Sequence, residues 1–134
     1  MKVVLDADVL IGALDGSDLH HASARALFMR WQEQDVPRLI SVVNLSEVLV
    51  APAADGRRLR AAREAIAALG VAVHQAGEAI GVEAARLRGR HPISLPDAYC
   101  LATAKHAGGS VASFDRKVIR AAESERIAHT VSKT

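Results

Sequence analysis

The sequence predicts an α/β fold: one three-layer domain in which helices cover a mainly parallel central sheet. Three observations carry this. Short apolar strands alternate with helical stretches along the chain, the order expected of a parallel sheet with helical crossovers. The first strand, Val3-Val4-Leu5, is apolar at every position, as in a strand buried on both faces. Half of the 134 residues are hydrophobic and only 3% are aromatic, so the core is built from Ala, Val, Leu and Ile. Such small side chains let helices lie close on a sheet.

The elements follow in order. The first strand ends in Asp6-Ala7-Asp8, and the apolar pattern resumes with Val9, Leu10 and Ile11. Asp15 to Asp18 form a polar turn around Gly16. Ser17 or Asp18 is expected to cap a helix reaching about Gln34, with Leu19, Ala22, Ala26 and Met29 turned inward and Leu27 beside them. His20 and His21 are adjacent rather than four apart, so they read as solvated surface and not as a metal pair. Leu39 to Val43 is the second strand. Asn44 to Val50 reads as a short helix stopped near Pro52, and Asn44 and Glu47 have the spacing of a capping box.

A loop, Ala53 to Gly56, leads to a helix from Arg57 to Leu69, ended by Gly70. Val71 to His74 is the third strand, and Glu78 to Leu87 a further helix. Ser94 is placed to cap the next helix, with Pro96 in its first turn and Asp97 at its third position. That helix should run to Ala107 and stop at Gly108-Gly109. Val111 to Phe114 is the fourth strand, ending in Asp115, and a short helix carries Arg116, Lys117 and Arg120. Ile127 to Val131 is expected as an edge strand, and 132–134 as a frayed tail. No linker or repeat divides the chain, so residues 1–134 are read as one domain. Cys100, the single cysteine, is expected in the core.

The net charge of +2 permits a nucleic-acid partner without demanding one. No apolar run approaches the ~20 residues of a membrane span, and no secretory leader precedes the first strand. A cytoplasmic protein with no membrane partner is expected.

Four acids fall at similar places. Asp6 and Asp115 each follow directly on a strand, and Glu47 and Asp97 are each expected in the first turn of a helix. Each alone could be a helix cap. In a parallel sheet all four lie at one edge, where they would repel in a low-dielectric cleft. Something positive must balance them, and hard carboxylate oxygens suit Mg²⁺ or Mn²⁺. No Cys/His cluster argues for zinc. A carboxylate-bound divalent cation beside basic residues is a site for phosphodiester hydrolysis by metal-activated water. Arginines near 57–63, 86–90 and 116–120 would hold the flanking phosphates, positioning rather than specifying.

The stretches VVLDADVLI, NLSEVL, SLPDAYCLATAKHAGG and VASFDRKV resemble the PIN-domain family and, at this size, the VapC-type toxins of bacterial toxin–antitoxin pairs. The resemblance runs from Met1 to about Arg120. It implies a Mg²⁺- or Mn²⁺-dependent endoribonuclease acting on RNA. The family's four acids fall on Asp6, Glu47, Asp97 and Asp115, with its usual hydroxyl at Ser113. Asp6 and Asp97 would be the principal metal ligands, with Asp115 and Glu47 completing the site directly or through water. A cognate antitoxin that blocks the acidic pocket and a homodimer are also implied. The chain departs from the family in having Ala7 where Ser or Thr is usual and Asp8 where Asn is usual. It also has Arg116, Lys117 and Val118 where some members carry another acid.

Two other readings compete. Asp6-Ala7-Asp8 matches the D-x-D of haloacid-dehalogenase-like phosphatases, with Asp6 as nucleophile and Asp8 as acid/base. That reading leaves Glu47 and Asp97 without a role, and Leu10 stands where Thr or Val is wanted. A noncatalytic PIN fold that binds RNA or a partner would typically have lost one of the four acids. A partner helix is expected to lie along Leu45, Val48 and Leu49 with the Arg57–Leu69 helix.

Overall fold

A computed structural model describes residues 1–130 of the chain. Four short strands, β1 (Val3–Leu5), β2 (Arg38–Ser41), β3 (Val71–His74) and β4 (Ser110–Ala112), form one sheet in the order β3-β2-β1-β4. Every pairing in it is parallel. β1 is central and fully buried, and its side chains alternate between faces. Val3 and Leu5 enter a core with α1 (Ala7–Leu14), α2 (His21–Glu33), α3 (Val42–Leu49) and α4 (Gly56–Ala68). Val4 enters the opposite core with α5 (Glu78–Arg90), α6 (Leu95–Ala107) and α7 (Arg116–Ser124). The three expected layers are therefore present, with Cys100 fully buried in the second core. No helix among the described residues is long and apolar enough to cross a membrane.

Local chemistry sets the boundaries. Ser94 caps α6 by accepting the Asp97 N–H at 3.2 Å, and the helix ends where Gly108 takes a left-handed φ of 73°. β3 matches its expected span, and α4 is shifted from Arg57–Leu69 by one residue at each end. α5 runs one turn further than expected, to Arg90.

Four expectations are corrected. β2 stops at Ser41, whose hydroxyl accepts the Val43 N–H at 3.2 Å and starts α3 there. Asn44 and Glu47 are therefore inside α3 and form no capping box. α2 begins later than expected, with His20 at the N-cap position and making no side-chain cap bond, while Asp18 Oδ1 accepts the His20 N–H at 2.8 Å; its inward residues are Ala24, Leu27, Phe28 and Trp31. Leu19, ahead of the helix, and Ala22, Ala26 and Met29 are exposed, because the stripe carrying Phe28 and Trp31 is the one that packs on the core. The fourth strand is Ser110–Ala112, shorter than expected and shifted. Of the expected edge strand, the described part makes a single parallel bridge, Val111 to His129, and Val131 lies outside the described residues, as does the expected tail 132–134.

Candidate functional site

The chain builds β1, β2 and β3 outward in one direction, then returns to lay β4 on the other side of β1. That reversal leaves a crevice at the carboxyl ends of β1 and β4, the usual ligand position in an open parallel sheet. Asp6 follows β1, and Ser113 and Asp115 follow β4. α6 brings Asp97 to the same place in its first turn.

Asp6 is buried, with 4% of its surface exposed. One carboxylate oxygen accepts the Ala7 N–H at 2.8 Å, and the other accepts the Ser113 hydroxyl at 2.6 Å. The Ser113 hydroxyl oxygen in turn accepts the Asp115 N–H at 3.0 Å. Ser113 thus links the first acid to the backbone of the fourth. Burial, followed by the charge of Asp8 and then that of Asp97, pushes the Asp6 carboxyl up to about 8. Burial also pushes Asp8 up to about 6, with the Asp115 charge adding to it. Asp97 is raised by burial and then by Asp115. Cys100 lies behind them, its thiol pushed up by burial and then by the charges of Asp6, Asp97, Asp8 and Glu47.

Asp8 was not among the four grouped acids, yet it belongs with them. Its Oδ2 accepts the Phe114 N–H at 3.0 Å, and its Oδ1 is buried without a hydrogen-bond partner. No Lys, Arg or His makes an ion pair with Asp6, Asp8, Glu47, Asp97 or Asp115 among the described residues. Glu47 stands at the exposed rim, its Oε1 accepting from Asn44 Nδ2 at 3.1 Å. As the side chains stand, no three His, Cys, Asp or Glu among the described residues are arranged to hold a metal ion. Unbalanced carboxylates repel and splay apart. The donor set fits a hard divalent cation in its chemistry: all oxygen, net negative, with one buried oxygen still lacking a partner.

The surroundings hold further differences from expectation. His20 and His21 are not free surface: His21 Nδ1 bonds the Gly12 carbonyl at 2.8 Å, and the His20 ring stacks on Phe114 at 4.3 Å. The Asp8–Phe114 and Ser113–Asp6 contacts join residues over 100 positions apart, so no local pattern announces them. Arg116 and Lys117 are exposed at the start of α7, beside Asp115. Arg86 and Arg90 are not on this rim; both pair with Glu83, and Arg90 also pairs with Glu125, at the far ends of α6 and α7. An apolar cavity of about 540 Å³ opens next to Glu47, lined by Ile11, Leu14, Val48, Pro52, Ala62 and Ala65 among others. Val48 lines it as expected, but Leu45 and Leu49 do not; they pack against the core.

Solved structures share this fold. VapC20 of Mycobacterium tuberculosis, a sarcin–ricin loop cleaving toxin, is 19% identical with a TM-score of 0.71, over 90% of this chain and 95% of that one. VapBC2 of Rickettsia felis, bound to a DNA fragment from its promoter, is 11% identical with a TM-score of 0.77, over 98% of each chain. A toxin–antitoxin complex of Klebsiella pneumoniae is 22% identical with a TM-score of 0.72, over 88% of this chain and 90% of that one. At these identities the likeness is one of fold. None of the curated proteins matches the chain. The PIN domain family matches residues 3–124, a span that runs from β1 to the end of α7 and includes every acid of the crevice, and the chain belongs to that family.

Proposed function

We propose that this PIN-domain protein is a divalent-cation-dependent endoribonuclease and the toxin of a toxin–antitoxin pair. The observation that carries the reading is the group of five carboxylates at the chain reversal, none of them in an ion pair with a Lys, Arg or His among the described residues. Asp6 and Asp97 would hold Mg²⁺ or Mn²⁺, with Asp115 and Glu47 completing the site directly or through water. A bound cation would supply a water activated for attack at neutral pH and would neutralise charge building on the phosphoryl oxygens.

The chain's own residues orient and hold. Ser113 fixes Asp6 and the start of the Asp115 turn through one hydroxyl. Arg116 and Lys117, exposed beside Asp115, would grip flanking phosphates without reading bases. The comparisons support the same reading: one similar structure is a toxin that cleaves the sarcin–ricin loop, and another is a toxin–antitoxin complex. The apolar cavity beside Glu47 suits side chains of an antitoxin that would cover the acids. Homodimerisation and a cytoplasmic site of action belong to the same proposal.

The test is cleavage of a mixed tRNA and ribosomal RNA substrate in Mg²⁺, Mn²⁺ and EDTA, with Asp97→Asn purified identically. Cutting that needs the cation and disappears in Asp97→Asn is expected. Equal cutting by both proteins would identify a contaminant, and a protein whose melting temperature ignores both cations would overturn the reading. Release of phosphate from a chromogenic monoester would favour the phosphatase alternative.

A further inference from the structure

Asn44 is fully buried in α3, yet its side chain reaches two functional parts of the molecule. Its Nδ2 donates to Glu47 Oε1 at 3.1 Å and to the Pro96 carbonyl at 3.0 Å. Pro96 immediately precedes Asp97 in the first turn of α6. The two acceptors fix the amide's orientation, because a flipped amide would point its own oxygen at a carboxylate and a carbonyl. Asn44 Oδ1 is buried with no hydrogen-bond partner among the described residues.

Glu47 is exposed, and a free glutamate at a rim samples many rotamers. Asn44 lies three residues earlier on the same helix face and restrains it from the buried side. The same nitrogen ties α3 to the backbone carrying Asp97, across 52 residues of sequence. We infer that Asn44 is a positioning residue: it sets Glu47 relative to Asp97 and thereby raises the site's affinity for its cation. This rests on the metal-dependent reading above. Partners of this kind behind a ligand typically change metal affinity by about 10- to 100-fold.

The experiment is Mn²⁺ titration by calorimetry on intact, RNA-free protein, below its melting temperature. Wild type, Asn44→Ala, Glu47→Gln and the double variant are compared. Asn44→Ala is expected to weaken Mn²⁺ binding roughly tenfold. In the Glu47→Gln background it should change the Kd by less than about twofold, since the carboxylate it positions is gone. A purely structural asparagine would lower the melting temperature without this coupling. Asn44→Thr, close in volume and with one hydroxyl donor, serves if alanine unfolds the protein; its loss should be smaller and equally dependent on Glu47. Unchanged Mn²⁺ affinity in the Asn44 variants, or an undiminished loss in the double variant, would overturn the inference and leave the proposed nuclease standing. A wild type that binds no Mn²⁺ would overturn both.

Discussion

Acids gather at both ends of the α6–α7 pair, Asp97 and Asp115 at one and Glu125 with Glu83 of α5 at the other, and the two ends treat them oppositely. At the N-terminal ends, Asp97 and Asp115 face Asp6 and Asp8, with no cation paired to any of them among the described residues. The helix N-termini offset part of the cost for Asp97 and Asp115 but leave the buried Asp6 held at about 8. At the C-terminal ends, Glu125 accepts from Arg90 at 3.0 and 3.1 Å, His91 at 2.6 Å and Lys105 at 3.4 Å. Glu83 accepts from the same Lys105 at 2.9 Å. Those bonds, led by that from Arg90, pull Glu125 down to about 2. One end is electrostatically complete within the protein, and the other is complete only with something added. Local rules broken at one end and obeyed at the other, on the same two helices, mark the first as the working end.

The largest effect that could break this contrast is on catalysis. Asp6→Asn keeps the shape and can still bond Ser113, but removes a charge. RNA cleavage should fall at least about 100-fold, since a direct ligand outweighs the partners behind it. Its urea midpoint in EDTA should be no lower than wild type, because folding then no longer requires a buried carboxyl without an ion-pair partner to be either protonated or charged. A large loss of stability would mean that the N-terminal end is structural after all.

Ser113→Ala is expected to act next most strongly. It removes the 2.6 Å bond to Asp6 and the acceptor for the Asp115 N–H. Cleavage should fall roughly tenfold, and more Mn²⁺ should be needed for half-maximal rate. A rate equal to wild type at every Mn²⁺ concentration would remove Ser113 from the site.

How far this contrast could be read in advance depended on range. The α6 end was legible because Ser94, Pro96 and Gly108 are local signals acting on their own neighbours. Strand and helix alternation predicts a parallel sheet, which places Asp6 and Asp115 at one edge; the order that lays β4 beside β1 is not in that pattern. The start of α3 was not legible. Val42 and Val43 favour a strand by β-branching, yet Ser41 caps a helix there and buries Asn44. Neither Asp8's contact with Phe114 nor the pairing of Arg90 with Glu125 leaves a local pattern, because each joins distant segments. Arg86 and Arg90, free in the sequence reading, are committed to glutamates.

Stability against pH sharpens the contrast through its sign. Asp6 titrates higher in the folded protein, about 8 against 3.8, so the folded state holds the extra proton between those values. Without a cation, its contribution is present at low pH and lost as pH rises toward 8. Glu125 titrates lower when folded, about 2 against 4.5, so its contribution is full above 4.5 and lost as pH falls toward 2. Urea midpoints in EDTA should therefore decline on both sides. Asp6→Asn should flatten the neutral limb, and Glu125→Gln the acid limb. Glu125→Gln should also lower stability at pH 6 by about 1–2 kcal/mol, the partners being half-exposed, with cleavage retained. If Asp6→Asn flattens the acid limb instead, the assignment of the two ends is reversed.

The smallest effect tests whether the C-terminal end matters to stability alone. Gly108 closes α6 with φ at 73°, and nothing lies within 4 Å of where a Cβ would stand. Gly108→Ala therefore meets no clash and pays only for a left-handed conformation that a side chain disfavours, about 1 kcal/mol. Its position next to Ala107, whose carbonyl accepts from Lys2 Nζ at 3.1 Å, puts it a full helix length from Asp97. The urea midpoint should drop slightly, with cleavage rate and Mn²⁺ requirement unchanged. A shift in the Mn²⁺ requirement would show that strain at the paired end of α6 reaches the acids at the other, and the two ends would then have to be treated as one unit.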